Sequence, residues 1–290
     1  ICEGLVGSEM CIRDRNMGVF NKSKLNPDEL SFWGHIDALR GHLIRIVIAI
    51  LAAAIVLFTQ PNFLFDTIVL GPINSDFLTY RAFCKLSNIL GLGDQLCFGN
   101  YNFVLQSLGP ANQFTSHMWI AFIGGFIISF PYLLYEVFAF IKPALSGKEK
   151  NASITFIFTS SFLFLIGVMF SYFIIVPLAI NFLGDYKVSS MIENNFTMEA
   201  YVSFVTTLTF ATGIVFELPV IMFFLSTFGL VTPDFLRQYR RHALIIILLT
   251  AGVITPSPDV TSQLLVATPL YLLYEVSIYV SAYVVKRNAN

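Results

Sequence analysis

Glu217 stands in "TGIVFELPVIMFF", Thr212 to Phe224, two residues before Pro219 and inside an apolar run long enough to cross a bilayer. A charged carboxylate in such a place costs about 2.5 to 3.5 kcal/mol on insertion scales, taking its close relative Asp as the guide. Intramembrane ionisable groups are therefore rare and usually functional. Three kinds of chemistry are open to this one: coupling to an ion or proton, a polar contact with a membrane helix of another protein, or a hydrogen bond that cements its own bundle. Pro219 lacks an N–H and loosens the helix next to the carboxyl.

Two further carboxylates sit among positive charges, Asp37 in "HIDALRGHL" and Glu149 in "IKPALSGKEKN". Taken singly, Asp37 with Arg40, or Glu149 with Lys148 or Lys150, is an ordinary ion pair worth under about 1 kcal/mol. Glu136 and Glu275 fall near the ends of apolar runs, where bundle hydrogen bonding is the natural reading. His35, His42, His117 and His242 have no Cys or carboxylate at metal-ligand spacing, and no Gly-rich loop has the P-loop pattern. The expectation is a non-enzyme with no metal, no cofactor and no nucleic-acid partner.

The elements that carry these groups follow from composition. With 56% hydrophobic and 12% charged residues in 290, and a mean hydropathy of +0.73, the chain belongs in a lipid bilayer. Long apolar runs predict helical spans at Leu43 to Phe58 with the segment before it, Met118 to Ile141, Ile154 to Phe182 and Tyr201 to Phe228. Two shorter ones follow, Ala243 to Ile254 and Leu264 to Val285, so the last two helices are expected to be short. With the N-terminus inside, only Arg81, Lys85 and Lys187 of the basic residues after Met17 fall outside. The positive-inside rule thus gives six transmembrane helices with both termini cytoplasmic.

The connections differ in character. Asn26, Pro27 and Glu29 are helix-start signals, and Phe32, Ile36, Leu39 and Leu43 recur at helical spacing, predicting an amphipathic surface helix that runs into the first span. The long external loop, 61–113, is expected to hold short helices on the outer membrane face. It contains Cys84 and Cys97, for which a disulfide and two free thiols are equally open. "PYLLYEV" from Pro131 and "PLYLLYEV" from Pro269 echo one another in parallel orientation, with no similarity on either flank, and read as coincidence. Residues 1–16 have neither a starting Met nor a signal-peptide core and read as a non-native stretch, with Met17 the expected start.

Four pieces taken together resemble TatC, the multispanning subunit of the twin-arginine protein translocase: "HIDALRGHL", "FAFIKPALSGKEK" at Phe138 to Lys150, "FELPV" at Phe216 to Val220, and "TPSPDVTSQLLVATPLYLLYE" at Thr255 to Glu275. Their order and spacing agree over about Phe32 to Val285. The resemblance implies an all-α integral membrane protein of glove-like, concave form, a single TatC-like membrane domain over 17–290, in the bacterial cytoplasmic (inner) membrane. It implies a receptor that binds twin-arginine signal peptides and recruits TatA/TatB-type single-span partners, as a homo-oligomer within a hetero-complex. Such a complex exports folded proteins and draws on the transmembrane proton gradient.

By the same resemblance, Glu149 and Phe140 map to the signal-binding carboxylate and aromatic, with Asp37, Arg40 and His35 shaping the site. A second carboxylate is implied immediately before the Leu-Arg pair, where this chain has Ala38, so Asp37 is expected to substitute in part. Glu217 and Pro219 map to the docking point for a partner's helix, and Asp259 to the external turn. The competing readings are an ion-coupled small-molecule transporter with Glu217 as its coupling site, and a structural membrane scaffold. A transporter should bring several charges together at mid-membrane, often on paired broken helices.

Overall fold

The computed structural model describes residues 32–89, 91, 105–141, 153–187, 189, 195–254 and 260–289. Glu149, Asp259, Cys97 and the helix-start signals at Asn26 to Glu29 lie outside these residues. Among the described residues the regular elements are all helical. They are α1 (Phe32–Phe58), α2 (Leu78–Ile89), α3 (Asn112–Ile141), α4 (Ser153–Phe170), α5 (Val176–Asp185), α6 (Met198–Phe216), α7 (Leu218–Thr227), α8 (Pro233–Gln238), α9 (Arg240–Ile254) and α10 (Val260–Ala289). Among the described residues, five stretches are long and apolar enough to cross a membrane: Ile36–Phe58, Asn112–Ile141, Phe156–Gly184, Met198–Thr227 and Gln263–Lys286.

Helix α9 has 15 residues and rises about 22 Å, short of a hydrocarbon core of about 30 Å. The expectation of two short closing helices is corrected for the second. Helix α10 spans 30 residues, because it passes through Pro269 and continues into the polar tail beyond Lys286. Neighbouring helices commonly make an internal proline tolerable in a spanning helix.

Helix α1 is one continuous helix from Phe32, so the expected surface helix and first span are collinear. Ile36, Leu39 and Leu43 are exposed along it, as befits a stripe facing lipid. Ala38 and His42, around the helix from that stripe, are half-buried, Ile50 further along is buried, and α1 packs on α3. Gly125 permits the approach: a Cβ there would lie 2.7 Å from the Ala54 backbone nitrogen. Helices α4 and α6 meet through a second small-residue contact. A Cβ on Gly213 would meet Phe164 at 2.8 Å, and one on Gly167 would meet Phe216 at 2.7 Å. Without a hydrophobic drive between helices in lipid, such close backbone packing is a main source of association.

The third span is a single helical run with a π-helical stretch, Ser171–Ile175, between α4 and α5. Pro177 explains it. Its ring displaces the carbonyl four residues back, at Phe173, and removes that carbonyl's N–H partner. The Thr79 hydroxyl takes the vacant acceptor, donating to the Phe173 carbonyl at 2.5 Å.

Thr79 belongs to the connection between α1 and α3, whose described residues form short helices: a π-helix at Phe63–Val69, a 3-10 turn at Gly71–Ile73, and α2. They are pinned to the bundle by hydroxyls that donate to backbone carbonyls. Tyr172 reaches Ile68 at 2.7 Å and Tyr201 reaches Val69 at 2.7 Å. Within the connection, Tyr80 reaches Pro72 at 2.6 Å. Cys84 is disulfide-bonded.

Candidate functional site

Glu217 forms the joint between α6 and α7. Its N–H returns to the Ile214 carbonyl at 3.0 Å, and its own carbonyl accepts from Val220 at 3.0 Å and Ile221 at 2.9 Å. The helix turns over at this residue because Pro219, buried at the start of α7, has no N–H to carry the ladder through. The break leaves the Glu217 side chain in the bundle at 7% exposure. The Ser160 hydroxyl on α4 donates to Glu217 Oε2 at 2.5 Å. Glu217 Oε1 is buried with no hydrogen-bond partner.

Around this carboxyl the packing is apolar and close. Phe164 is fully buried, one turn from Ser160 on α4, and stacks on Phe130 of α3 with ring centroids 3.6 Å apart. The Thr212 hydroxyl is spent on the Leu208 carbonyl at 2.8 Å. The geometry is a half-satisfied carboxyl held in an apolar bundle, with one oxygen fixed and one open. A group so placed can accept from, or once protonated donate to, a hydrogen-bonding side chain brought by another helix.

A second polar centre lies toward the Ile141 end of α3, between α3 and α1. Glu136 is its hub, 3% exposed. His42 Nδ1 lies 2.5 Å from Glu136 Oε2, and the Tyr132 hydroxyl donates to Oε1 at 2.6 Å. Arg45 approaches the same carboxylate at 3.5 Å from an exposed position. Phe140 sits edge-on to His42, centroids 6.0 Å apart.

The structure therefore brings Phe140, a proposed signal-binding residue, against α1, the helix that carries Asp37, Arg40 and His35. Asp37 and Arg40 are both exposed, and among the described residues no ion pair joins them. Glu217 and Pro219 form their own centre, held by Ser160 of α4 rather than by α1.

The echo noticed in the sequence acquires a structural counterpart. In both copies of "YLLYEV" the first tyrosine donates to the glutamate four residues on, Tyr132 to Glu136 and Tyr271 to Glu275, the latter at 3.1 Å. The other glutamate oxygen takes a base from a neighbouring helix, Arg240 to Glu275 at 2.7 Å in the second copy. Tyr and Glu at i, i+4 on a helix meet by geometry alone, so the spacing was the available signal. The partners Ser160 and His42 carried none, since helix-helix register decides them.

Residues 34–269 match the family model described as Sec-independent protein translocase protein (TatC). A Sec-independent protein translocase protein TatC of Blattabacterium sp. subsp. Periplaneta americana is 42% identical over 265 residues, 91% of this chain and 99% of that protein. The TatC of Halalkalibacterium halodurans is 34% identical over 257 residues, 89% and 91% of the two chains. A crystal structure described as twin arginine translocase receptor TatC superposes with a TM-score of 0.63 at 32% identity, covering 87% of this chain and 99% of its own. A crystal structure described as the same receptor in DDM gives a TM-score of 0.64.

Proposed function

The chain belongs to the TatC family of Sec-independent protein translocase proteins, and from that premise we propose that it is the receptor subunit of a twin-arginine translocase. The fold and the family make it a multi-pass protein of the bacterial cytoplasmic membrane that serves protein transport. The observation that carries the finer reading is the likeness, over nearly all of both chains, to a structure described as a twin arginine translocase receptor.

In this reading six spans place both termini in the cytoplasm, as the basic residues require, with α9 as the short fifth span. The signal peptide's arginine pair is received at the mouth of α1 and α3, by Glu149, Phe140, Asp37, Arg40 and His35. A carboxylate suits guanidinium because it accepts two parallel N–H bonds, which an ammonium does not supply. Glu217 is the docking point for the membrane helix of a TatA/TatB-type single-span partner. Its open Oε1 supports this, since a buried acceptor left unmet costs about 1 to 3 kcal/mol that a partner's donor recovers. Asp259 belongs to the external turn before α10, and copies of the chain assemble with the partners in one complex driven by the proton gradient.

The transporter reading loses its ground, because the family is one of protein translocases and Glu217 meets a single hydroxyl rather than convergent charges. Export tests the receptor reading. In cells carrying this chain and its own partner proteins, a folded reporter behind a twin-arginine signal should cross the membrane. Export should fall at least about tenfold with Glu149→Gln or with a Lys-Lys signal. Export indifferent to both changes would sink the reading.

A further inference from the structure

We propose that Glu136 is a recognition carboxylate of the signal-binding surface, the one that receives a guanidinium of the arginine pair; the inference rests on the receptor reading above. The seam between α1 and α3 carries the argument. Ala38, His42 and Arg45 stand at i, i+4 and i+7 on α1, one face of the helix. His42 and Arg45 on that face both reach Glu136. Phe140 lies one turn beyond Glu136 on α3 and meets the same His42. The carboxylate is thus directly below the aromatic already assigned to signal binding.

Its hydrogen bonding is incomplete in a useful way. A carboxylate has about four acceptor positions, and this one takes two short hydrogen bonds, from His42 and Tyr132. Arg45 at 3.5 Å is beyond hydrogen-bonding range, and its side chain is 61% exposed. It acts as a loose counter-ion that a better-placed guanidinium replaces. Half-buried Ala38, one turn before His42, leaves the mouth of the seam narrow in bulk and free of charge. A ligand arginine lying on Phe140 enters past Ala38, moves the partly exposed His42 aside, and meets Glu136 in place of Arg45. Lysine, a compact and strongly hydrated point charge, gains less from the exchange. Asp37 is about 100° around the helix from Ala38 and exposed, so it does not face this seam.

The test uses the full chain in lipid nanodiscs, a fluorescent peptide bearing the Arg-Arg pair, and its Lys-Lys counterpart. Glu136→Gln keeps the shape of the side chain and an acceptor for Tyr132. It should cut the preference for Arg-Arg over Lys-Lys by about tenfold or more. Ala38→Glu in the Glu136→Gln background should restore that preference, since it returns a carboxylate to the same face one turn away. A Glu136→Gln protein with the parent's preference, or a double variant that melts normally without recovering it, overturns the proposal. Should Glu136→Gln fail to fold, Ala38→Glu alone decides: a raised preference supports the seam, an unchanged one refutes it. An unmodified chain that does not distinguish the two peptides contradicts the receptor reading itself, and the inference falls with it.

Discussion

Ser160 Oγ donates to Glu217 Oε2 at 2.5 Å, across the contact where Gly167 and Gly213 bring α4 and α6 together. The relationship explains how an acidic residue survives inside an apolar bundle: glycine packing sets the helix separation, and the separation sets the hydrogen bond. It also leaves Oε1 open, which is the feature a docking partner would use.

Removing the donor should therefore hurt more than removing the pair. Ser160→Ala is expected to lower stability by about 1 to 3 kcal/mol, because the carboxyl stays buried with neither oxygen satisfied. Ser160→Ala with Glu217→Leu should recover most of that loss, while still failing to bind the partner. Unfolding in mixed micelles reads the first effect, and co-purification of single-span partners the second.

Glycine-to-alanine changes separate packing from propensity. Gly213→Ala places a methyl 2.8 Å from Phe164 and 3.0 Å from Val168, so overpacking should cost about 1 to 3 kcal/mol. Gly41→Ala meets nothing within 4 Å and should be neutral or stabilise by up to about 1 kcal/mol. Melting temperatures of the two variants in detergent should move in opposite directions or differ clearly in size.

The two "YLLYEV" glutamates look alike in sequence but differ in burial, with side-chain exposures of 4% for Glu136 and 20% for Glu275. Glu136→Ala should cost about 1 to 3 kcal/mol, since it takes the acceptor away from the partly buried His42. Glu275→Ala, opposite a half-exposed Arg240, should cost about 1 kcal/mol or less. Equal losses in unfolding experiments would contradict the assignment of burial to function.

Thr79 holds the carbonyl that Pro177 frees at Phe173. Thr79→Val should leave that acceptor unmet, at about 1 to 3 kcal/mol, and loosen the connection between α1 and α3 from the third span. Hydrogen exchange of the amides at 171–176 should accelerate while those of α1 stay unchanged.

Much of this fold is legible in the chain itself, for a physical reason. Hydrocarbon obliges every spanning segment to satisfy its own backbone, so apolar runs translate directly into helices, and the positions of α1, α3, α6 and α10 follow. Pro219 marked the break at Glu217 for the same reason, through its missing N–H. The length of α10 was misjudged because composition falls off toward Lys286 while the helix does not. The π-helical stretch before Pro177 is not legible either, since the carbonyl it frees is taken up by Thr79, a residue far away in sequence.

The sites divide along the same line. Glu217 stands out in the sequence by its cost, and Phe140 only through the family resemblance. Their contacts do not, because Ser160 and His42 look like ordinary bundle residues until the helices are in register. Asp37 was the natural substitute for a carboxylate at Ala38 when only α1 was in view. With α3 beside it, Glu136 is the acid that faces the seam.

Photo-crosslinking in native membranes tests the central claim most directly, with a photoreactive side chain at Phe140 and, as a control, at Leu249, which is 66% exposed on α9. The account predicts an adduct between Phe140 and a precursor bearing a twin-arginine signal, displaced by unlabelled Arg-Arg peptide and not by its Lys-Lys counterpart, with no such adduct at Leu249. Equal labelling at both positions, or labelling at Phe140 that Arg-Arg peptide leaves untouched, would contradict it.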